Sequence, residues 1–220
     1  ALTKIAKVDI KTISAGRTDA GVHASGQYAN FQFPIQMTAK QILLASRRHL
    51  PYDVQVTKII EVTREFNARY DAASRSYRYI LSKFRTPFNR NYKSFIPKTD
   101  VKREIVEECL KYFIGKHDFT SFAKLNPDLK NYYCNILEFE FIETDEDYIF
   151  EIKSNRFLHN MVRRIVGTII NISSTNSNPN IITELLEAKT TKNSLIATAP
   201  PNGLYLIDVE YPAIKLQLQI

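Results

Sequence analysis

At 220 residues, 44% of them hydrophobic, the chain is long enough for one large domain or two small lobes around an ordinary core. Its 30 Lys+Arg exceed its 23 Asp+Glu, leaving a formal charge of +7 that points to a polyanionic partner, nucleic acid ahead of an anionic membrane surface. Cys109 and Cys134 lie far apart and the histidines have no ligand spacing, which excludes a disulfide framework or C-x-x-C site; with no membrane-length apolar run, a reducing cytoplasmic setting and no metal are expected.

Residues 8–14 alternate Val8, Ile10 and Thr12 against Asp9, Lys11 and Ile13 and read as a strand. It leads into the segment Ala15-Gly16-Arg17-Thr18-Asp19-Ala20-Gly21-Val22-His23-Ala24. Residues 23–33 read as a second strand, ended by Pro34. Thr38-Ala39-Lys40-Gln41 has the form of a capping box, opening a helix with Ile42, Ala45 and His49 on one side. Residues 54–62 read as a strand, and 65–72 as irregular with a basic centre. Residues 74–81 alternate again, with Tyr77 and Tyr79 on one face and Arg78 and Ile80 on the other.

Residues 85–98 hold Pro87, Pro97 and several Asn, Arg and Lys, and mark a boundary between a lobe of residues 1–98 and one of 99–220. Asp100 is expected to cap a helix with Ile105, Val106, Cys109, Leu110 and Phe113 at core spacing, ended by Gly115. Residues 135–142 and 148–154 alternate around Thr144-Asp145-Glu146-Asp147, a hairpin signal. An apolar helix over about 158–172, a polar loop at 176–180, a short helix at 181–189 and a last strand at 204–211 complete the pattern. This order predicts an α+β fold with a largely antiparallel sheet.

Two places carry candidate chemistry. The glycine-flanked turn presents Asp19 two residues from Arg17; such a carboxylate is either a reactive group in a cleft or a side chain that only bonds its own turn. On the apolar helix, Met161, Ile165, Ile169 and Ile172 form one stripe with Val162, Val166 and Ile170 beside it, while Asn160, Arg164 and Thr168 read as a polar side. Arg163 interrupts the apolar surface, and Gly167 follows one turn later on the same face. Glycine in a helix interior costs about 1 kcal/mol relative to alanine, so the arginine or a neighbouring backbone needs that space. An arginine near a core either finds an anion or snorkels to water.

The segment Gly16-Arg17-Thr18-Asp19-Ala20-Gly21-Val22-His23-Ala24 resembles the active-site motif of the TruA-type tRNA pseudouridine synthases. Further segments agree in order. Phe66-Asn67-Ala68-Arg69-Tyr70 with Arg75-Ser76-Tyr77-Arg78-Tyr79 resembles the family's tyrosine strand, and Gly115-Lys116-His117-Asp118-Phe119-Thr120-Ser121-Phe122 its mid-chain turn. The run from Asn155 to Gly167 resembles its arginine helix, and Gly203-Leu204-Tyr205-Leu206 its last strand.

The resemblance implies two α+β lobes sharing a largely antiparallel sheet, helices on one face and a basic cleft on the other. It implies an isomerase that converts uridine to pseudouridine in the anticodon stem-loop of tRNA (positions 38, 39 and/or 40), a homodimer, and no cofactor. Asp19 would be the nucleophile, and Arg163 beside it would favour its charged form. Tyr77 would stack on the flipped uracil and assist loss of the ring proton, which a Phe could not do. Arg17 would fill the space left by the base or contact phosphate, and Leu204 would wall the pocket. Arg69, Arg78 and Arg164, with Arg75, Lys124 and Lys130, would hold phosphates and offset the few kcal/mol needed to unstack the base.

The chain departs from the family's pattern at Asn67, where a histidine is common, and in residues 126–135, which lack an arginine-rich form. The family also carries a strand and most of a helix ahead of the segment that residues 1–5 finish, so that upstream strand is expected to be missing here. Two rival readings follow from the same residues: a non-catalytic RNA-binding protein on this scaffold, and a hydrolase that releases free uracil.

Overall fold

A computed structural model describes residues 1–97 and 101–213. In chain order its elements are α1 (Leu2–Ala6), β1 (Thr12–Ser14), β2 (His23–Ala24), β3 (Ala29–Phe31), α2 (Ala39–Arg47), β4 (Ser74–Ser82), α3 (Arg103–Phe113), β5 (Gly115–Asp118), β6 (Tyr133–Glu143), β7 (Asp147–Ser154), α4 (Met161–Thr175), α5 (Ile181–Glu187) and β8 (Leu204–Glu210). The expected boundary at Lys98 and the expected cap at Asp100 lie outside the described residues.

The chain forms two compact units that interleave in sequence. The first takes residues 1–17, 27–73 and the segment from Glu210. In it β1 pairs antiparallel with β3, and α1 packs on α2. The capping box forms as expected: Gln41 donates its backbone N–H to the Thr38 hydroxyl and accepts the Thr38 N–H at 2.8 Å. Asn30 bridges β3 to the irregular stretch that follows, accepting from the Ala68 N–H at 2.9 Å and donating to the Phe66 carbonyl at 3.0 Å. Asn67 caps its own turn through the Arg69 and Tyr70 N–H groups.

The second unit takes residues 18–26 and 74–209. It holds a six-stranded sheet in the order β2-β8-β4-β7-β6-β5. The β4–β7, β7–β6 and β6–β5 pairs are antiparallel, and β2 runs parallel to β8. Period-2 alternation sorts the two faces. Tyr79, Phe150 and Phe141 form a buried row across β4, β7 and β6, while Arg78, Glu151 and Glu140 form the matching row on the other face. Helices α3 and α4 pack on each other, on β6 and on β4; α5 packs on β5. Phe113, Phe119 and Phe122 meet in the core, with ring centroids 5.2 Å apart for Phe113 and Phe122.

The expected α+β class with a mostly antiparallel sheet is observed. Four local expectations are corrected. Residues 23–33 are two strands in different sheets rather than one. Residues 54–62 are irregular, because an alternating pattern makes a strand only where a second strand pairs with it, and none does so among the described residues. Helix α4 starts at Met161, three residues later than expected, after Asn160 takes a left-handed conformation (φ 64°). Thr168 is buried, not on a polar side; its hydroxyl donates to the Arg164 carbonyl at 2.7 Å.

Candidate active site

Asp19 sits on a tight turn closed by the Val22 N–H donating to the Asp19 carbonyl at 3.0 Å. The third residue of that turn is Gly21 at φ +82°, the left-handed value a type II turn requires and a side chain resists. The chain then enters β2, whose ladder with Tyr205 and Leu206 fixes the turn against β8. Asp19 is therefore held by backbone bonds on its own segment, leaving its carboxylate, with 34% of the side chain exposed, for other partners.

Those partners come from the first turn of α4 and from the residues just ahead of it. Arg163 Nη1 lies 3.6 Å from Asp19 Oδ2, and His159 Nε2 lies 3.2 Å from Oδ1. At 3.6 Å the first is an ion pair rather than a hydrogen bond. Arg163 is oriented independently of Asp19: its Nε donates to the Ala199 carbonyl at 2.7 Å and its Nη1 to Asn160 Oδ1 at 3.1 Å. Gly167 makes this possible. A Cβ there would collide with the Ala197 carbonyl oxygen and lie 3.0 Å from the Ala199 nitrogen, so only glycine lets residues 197–199 cross the helix this closely. The space on the arginine's face thus belongs to a neighbouring backbone, which in turn aims the guanidinium.

Tyr77 is buried in β4, its ring 5.0 Å from that of Phe157 in a T-shaped contact. Burial pushes its phenol up to about 12; Arg75 opposes this and the charge on Asp19 adds to it, so Tyr77 and Asp19 feel one another. Tyr79, two residues on and on the same face, donates its hydroxyl to the Pro200 carbonyl at 2.9 Å. Leu204 opens β8 and is buried, one strand away from β2.

Asp19, Arg163 and Tyr77 thus come together as a group. Arg78 lies on the opposite pleat face from Tyr77 and is paired with Glu151 at 2.6 Å. Arg164 turns inward and donates to the Ser121 and Ala123 carbonyls, both at 3.1 Å; burial pulls its guanidinium below its ordinary value. Arg75 donates to the Asn155 carbonyl at 3.0 Å. Arg17 and Arg69 belong to the first unit, exposed, with the Arg69 guanidinium 5.4 Å from the Tyr70 ring centroid. Lys124 and Lys130 are exposed. Among the described residues, no helix is long and apolar enough to cross a membrane.

His159 is the member of this group that sequence reasoning missed. The signal was present: His159 precedes Arg163 by four residues, the spacing that puts two side chains on one side of a helix or its leading turn. The carbonyls of Ala199 and Pro200 left no signal, because any residue could supply them.

A carboxylate held between an arginine and a histidine, beside a buried tyrosine, defines a candidate nucleophile site on an α+β scaffold. Residues 109–212 match the family model described as tRNA pseudouridine synthase. The chain is 39% identical over 214 residues to tRNA pseudouridine synthase A 1 of Bacillus cereus, covering 96% of this chain and 86% of the relative. It is 37% identical over 219 residues to tRNA pseudouridine synthase A of Shewanella sediminis, covering 96% and 81%. With the same-named protein of Bacteroides fragilis the identity is 36% over 214 residues, covering 96% and 84%. The chain belongs to the tRNA pseudouridine synthase family, a family of isomerases.

Proposed function

We infer that this protein isomerises uridine to pseudouridine in the anticodon arm of tRNA, with Asp19 as the nucleophile. The observation that carries this reading is the Asp19 carboxylate set 3.6 Å from Arg163 and 3.2 Å from His159. The conversion exchanges one bond for another: the base nitrogen separates from the sugar carbon, a ring carbon takes its place, that carbon loses its proton and the nitrogen gains one. No electrons are gained or lost, so a carboxylate nucleophile with a proton path suffices. The attacking form is the carboxylate, and the guanidinium 3.6 Å away orients its oxygens.

In this reading Tyr77 offers its ring to the extruded uracil. With its phenol pushed up to about 12, the hydroxyl keeps its proton at neutral pH and serves as a donor until the C–H proton is released. Leu204 walls the pocket. The tRNA lies across two copies of the chain.

The test is Asp19→Ala assayed on unmodified tRNA, with pseudouridine mapped at nucleotide resolution. The variant is expected to bind tRNA and form no pseudouridine, while the wild-type chain modifies anticodon-arm uridines. Turnover in the variant comparable to wild type, or release of free uracil by the wild type, rejects the reading.

A further inference from the structure

From residue 83 to 93 the chain carries Lys83, Arg85, Arg90 and Lys93 and no acidic residue. Two of these cations are committed: Lys83 bonds Glu143 at 2.7 Å and Lys93 bonds Asp147 at 2.6 Å. Arg85 and Arg90 are exposed and have no carboxylate partner among the described residues. Between them stands Phe88, 93% exposed, with Phe84 at 62% and Tyr92 at 58% on either side. One exposed aromatic needs no explanation, but three of them interleaved with unpaired arginines have the composition of a base-stacking and phosphate-binding surface. Arg85, Thr86, Pro87 and Arg90 also line a recess of about 320 Å³.

The loop is not a loose excursion. Thr86 and Asn89 bond reciprocally: the Thr86 N–H donates to Asn89 Oδ1 at 3.1 Å, and the Asn89 N–H to the Thr86 hydroxyl at 3.3 Å. Asn89 Nδ2 also donates to the Phe84 carbonyl at 3.2 Å. The far end is fastened to the site's own elements. Asn202 donates to the carbonyls of Arg90 and Lys93 at 2.8 and 2.7 Å, and the Tyr205 hydroxyl donates to the Tyr92 carbonyl at 2.6 Å. His23, four residues after Asp19, sits 2.8 Å from the Asn91 carbonyl and stacks on both Tyr92 and Tyr205. Asn202 and Tyr205 flank Leu204. The loop therefore stands at a fixed offset from Asp19, and a ligand seated on it is presented to the carboxylate without a further ordering cost.

We propose that residues 84–93 form a second RNA-contacting surface, where Phe88 stacks on an unpaired base of the substrate and Arg85 and Arg90 hold its backbone phosphates. This rests on the reading of the substrate as tRNA. The charge favours RNA over a protein partner: residues 83–93 hold no acid, Arg85 and Arg90 have no carboxylate partner among the described residues, and the chain as a whole carries +7, the balance that suits a run of phosphates.

The test compares wild type, Phe88→Ala, Phe88→Tyr and Arg85→Ala/Arg90→Ala on unmodified tRNA, reading KM, kcat and the salt dependence of binding. Phe88 is 93% exposed, so folding is not at stake. Phe88→Ala is expected to raise KM by ~10-fold or more, with the loss falling mainly on KM, and Phe88→Tyr to restore it. The double arginine variant is expected to flatten the slope of log K against log salt by ~1.4–1.8. Wild-type turnover with KM and salt slope unchanged in the variants overturns the proposal and leaves the isomerase reading standing. Loop-dependent tRNA binding with no pseudouridine from the wild type does the reverse. Intact tRNA binding in Phe88→Ala with a broken oligomer in sedimentation assigns the face to a protein contact, and also overturns the proposal.

Discussion

The two oxygens of Asp19 face partners of unequal strength. Arg163 has 16% of its side chain exposed, whereas 49% of His159 is exposed to solvent. Water screens an exposed pair to a few tenths of a kcal/mol up to about 1, while a guanidinium already fixed in a sheltered site holds the carboxylate in its attacking position, and misplacing a reacting group costs about 10² in rate. The arginine is also aimed by Ala199 and Asn160 before any substrate arrives, and the histidine carries charge only when protonated. Arg163→Leu is therefore expected to lower kcat by ~10²-fold or more, and His159→Ala by less than ~10-fold. Single-turnover rates on tRNA decide the order, and equal losses in the two variants contradict it.

At the scale of elements, Gly167 links packing to chemistry. Its missing side chain lets residues 197–199 cross α4, and that crossing brings the Ala199 carbonyl to Arg163. Gly167→Ala gains up to ~1 kcal/mol of helix propensity and loses ~1–3 kcal/mol to the collision with backbone, which cannot swing away as a side chain would. A net loss of ~1–2 kcal/mol in urea unfolding is expected, together with a fall in kcat as the carbonyl leaves the guanidinium. Unchanged stability with unchanged turnover refutes this coupling. The glycine and the arginine were both legible in the sequence, since each violates its helix's pattern. The identity of the crossing backbone was not, because backbone carbonyls have no residue type. The same division runs through the elements. The Thr38 capping box and the Tyr77/Arg78 alternation are short-range patterns and form as read. Residues 23–33 have strand periodicity throughout, yet Ser25 and Gly26 both donate to the Leu206 carbonyl while Ala15 takes the Tyr28 carbonyl. Periodicity says that a segment will pair, and long-range partners decide where it must break.

At the scale of the molecule, four titrating groups of the second unit share one bias. Burial raises the thiols of Cys109 and Cys134 to about 12 from the ordinary 9.0, the phenol of Tyr77 to about 12 from 10.0, and that of Tyr79 further still. A group whose acid form is favoured in the fold contributes its full share of stability below its unfolded value. As pH rises past that value the unfolded chain releases the proton and the folded chain keeps it, so unfolding is drawn forward until the folded value is reached. Stability is thus expected to fall from about pH 9 toward pH 12. The chain's charge works in the opposite direction over the first part of that range, because a formal +7 is discharged on the approach to a pI near 9.3, which relieves self-repulsion. Above the pI the growing negative charge adds to the fall, so it is the part of a falling urea midpoint below about pH 9.3 that reports the buried thiols and phenols rather than surface charge. Replacing Cys109 and Cys134 together by alanine should flatten the fall over its earliest part, near pH 9, because the thiols titrate in the unfolded chain ahead of the phenols at 10.0. A midpoint that holds steady or rises across this range in the parent protein contradicts the assignment.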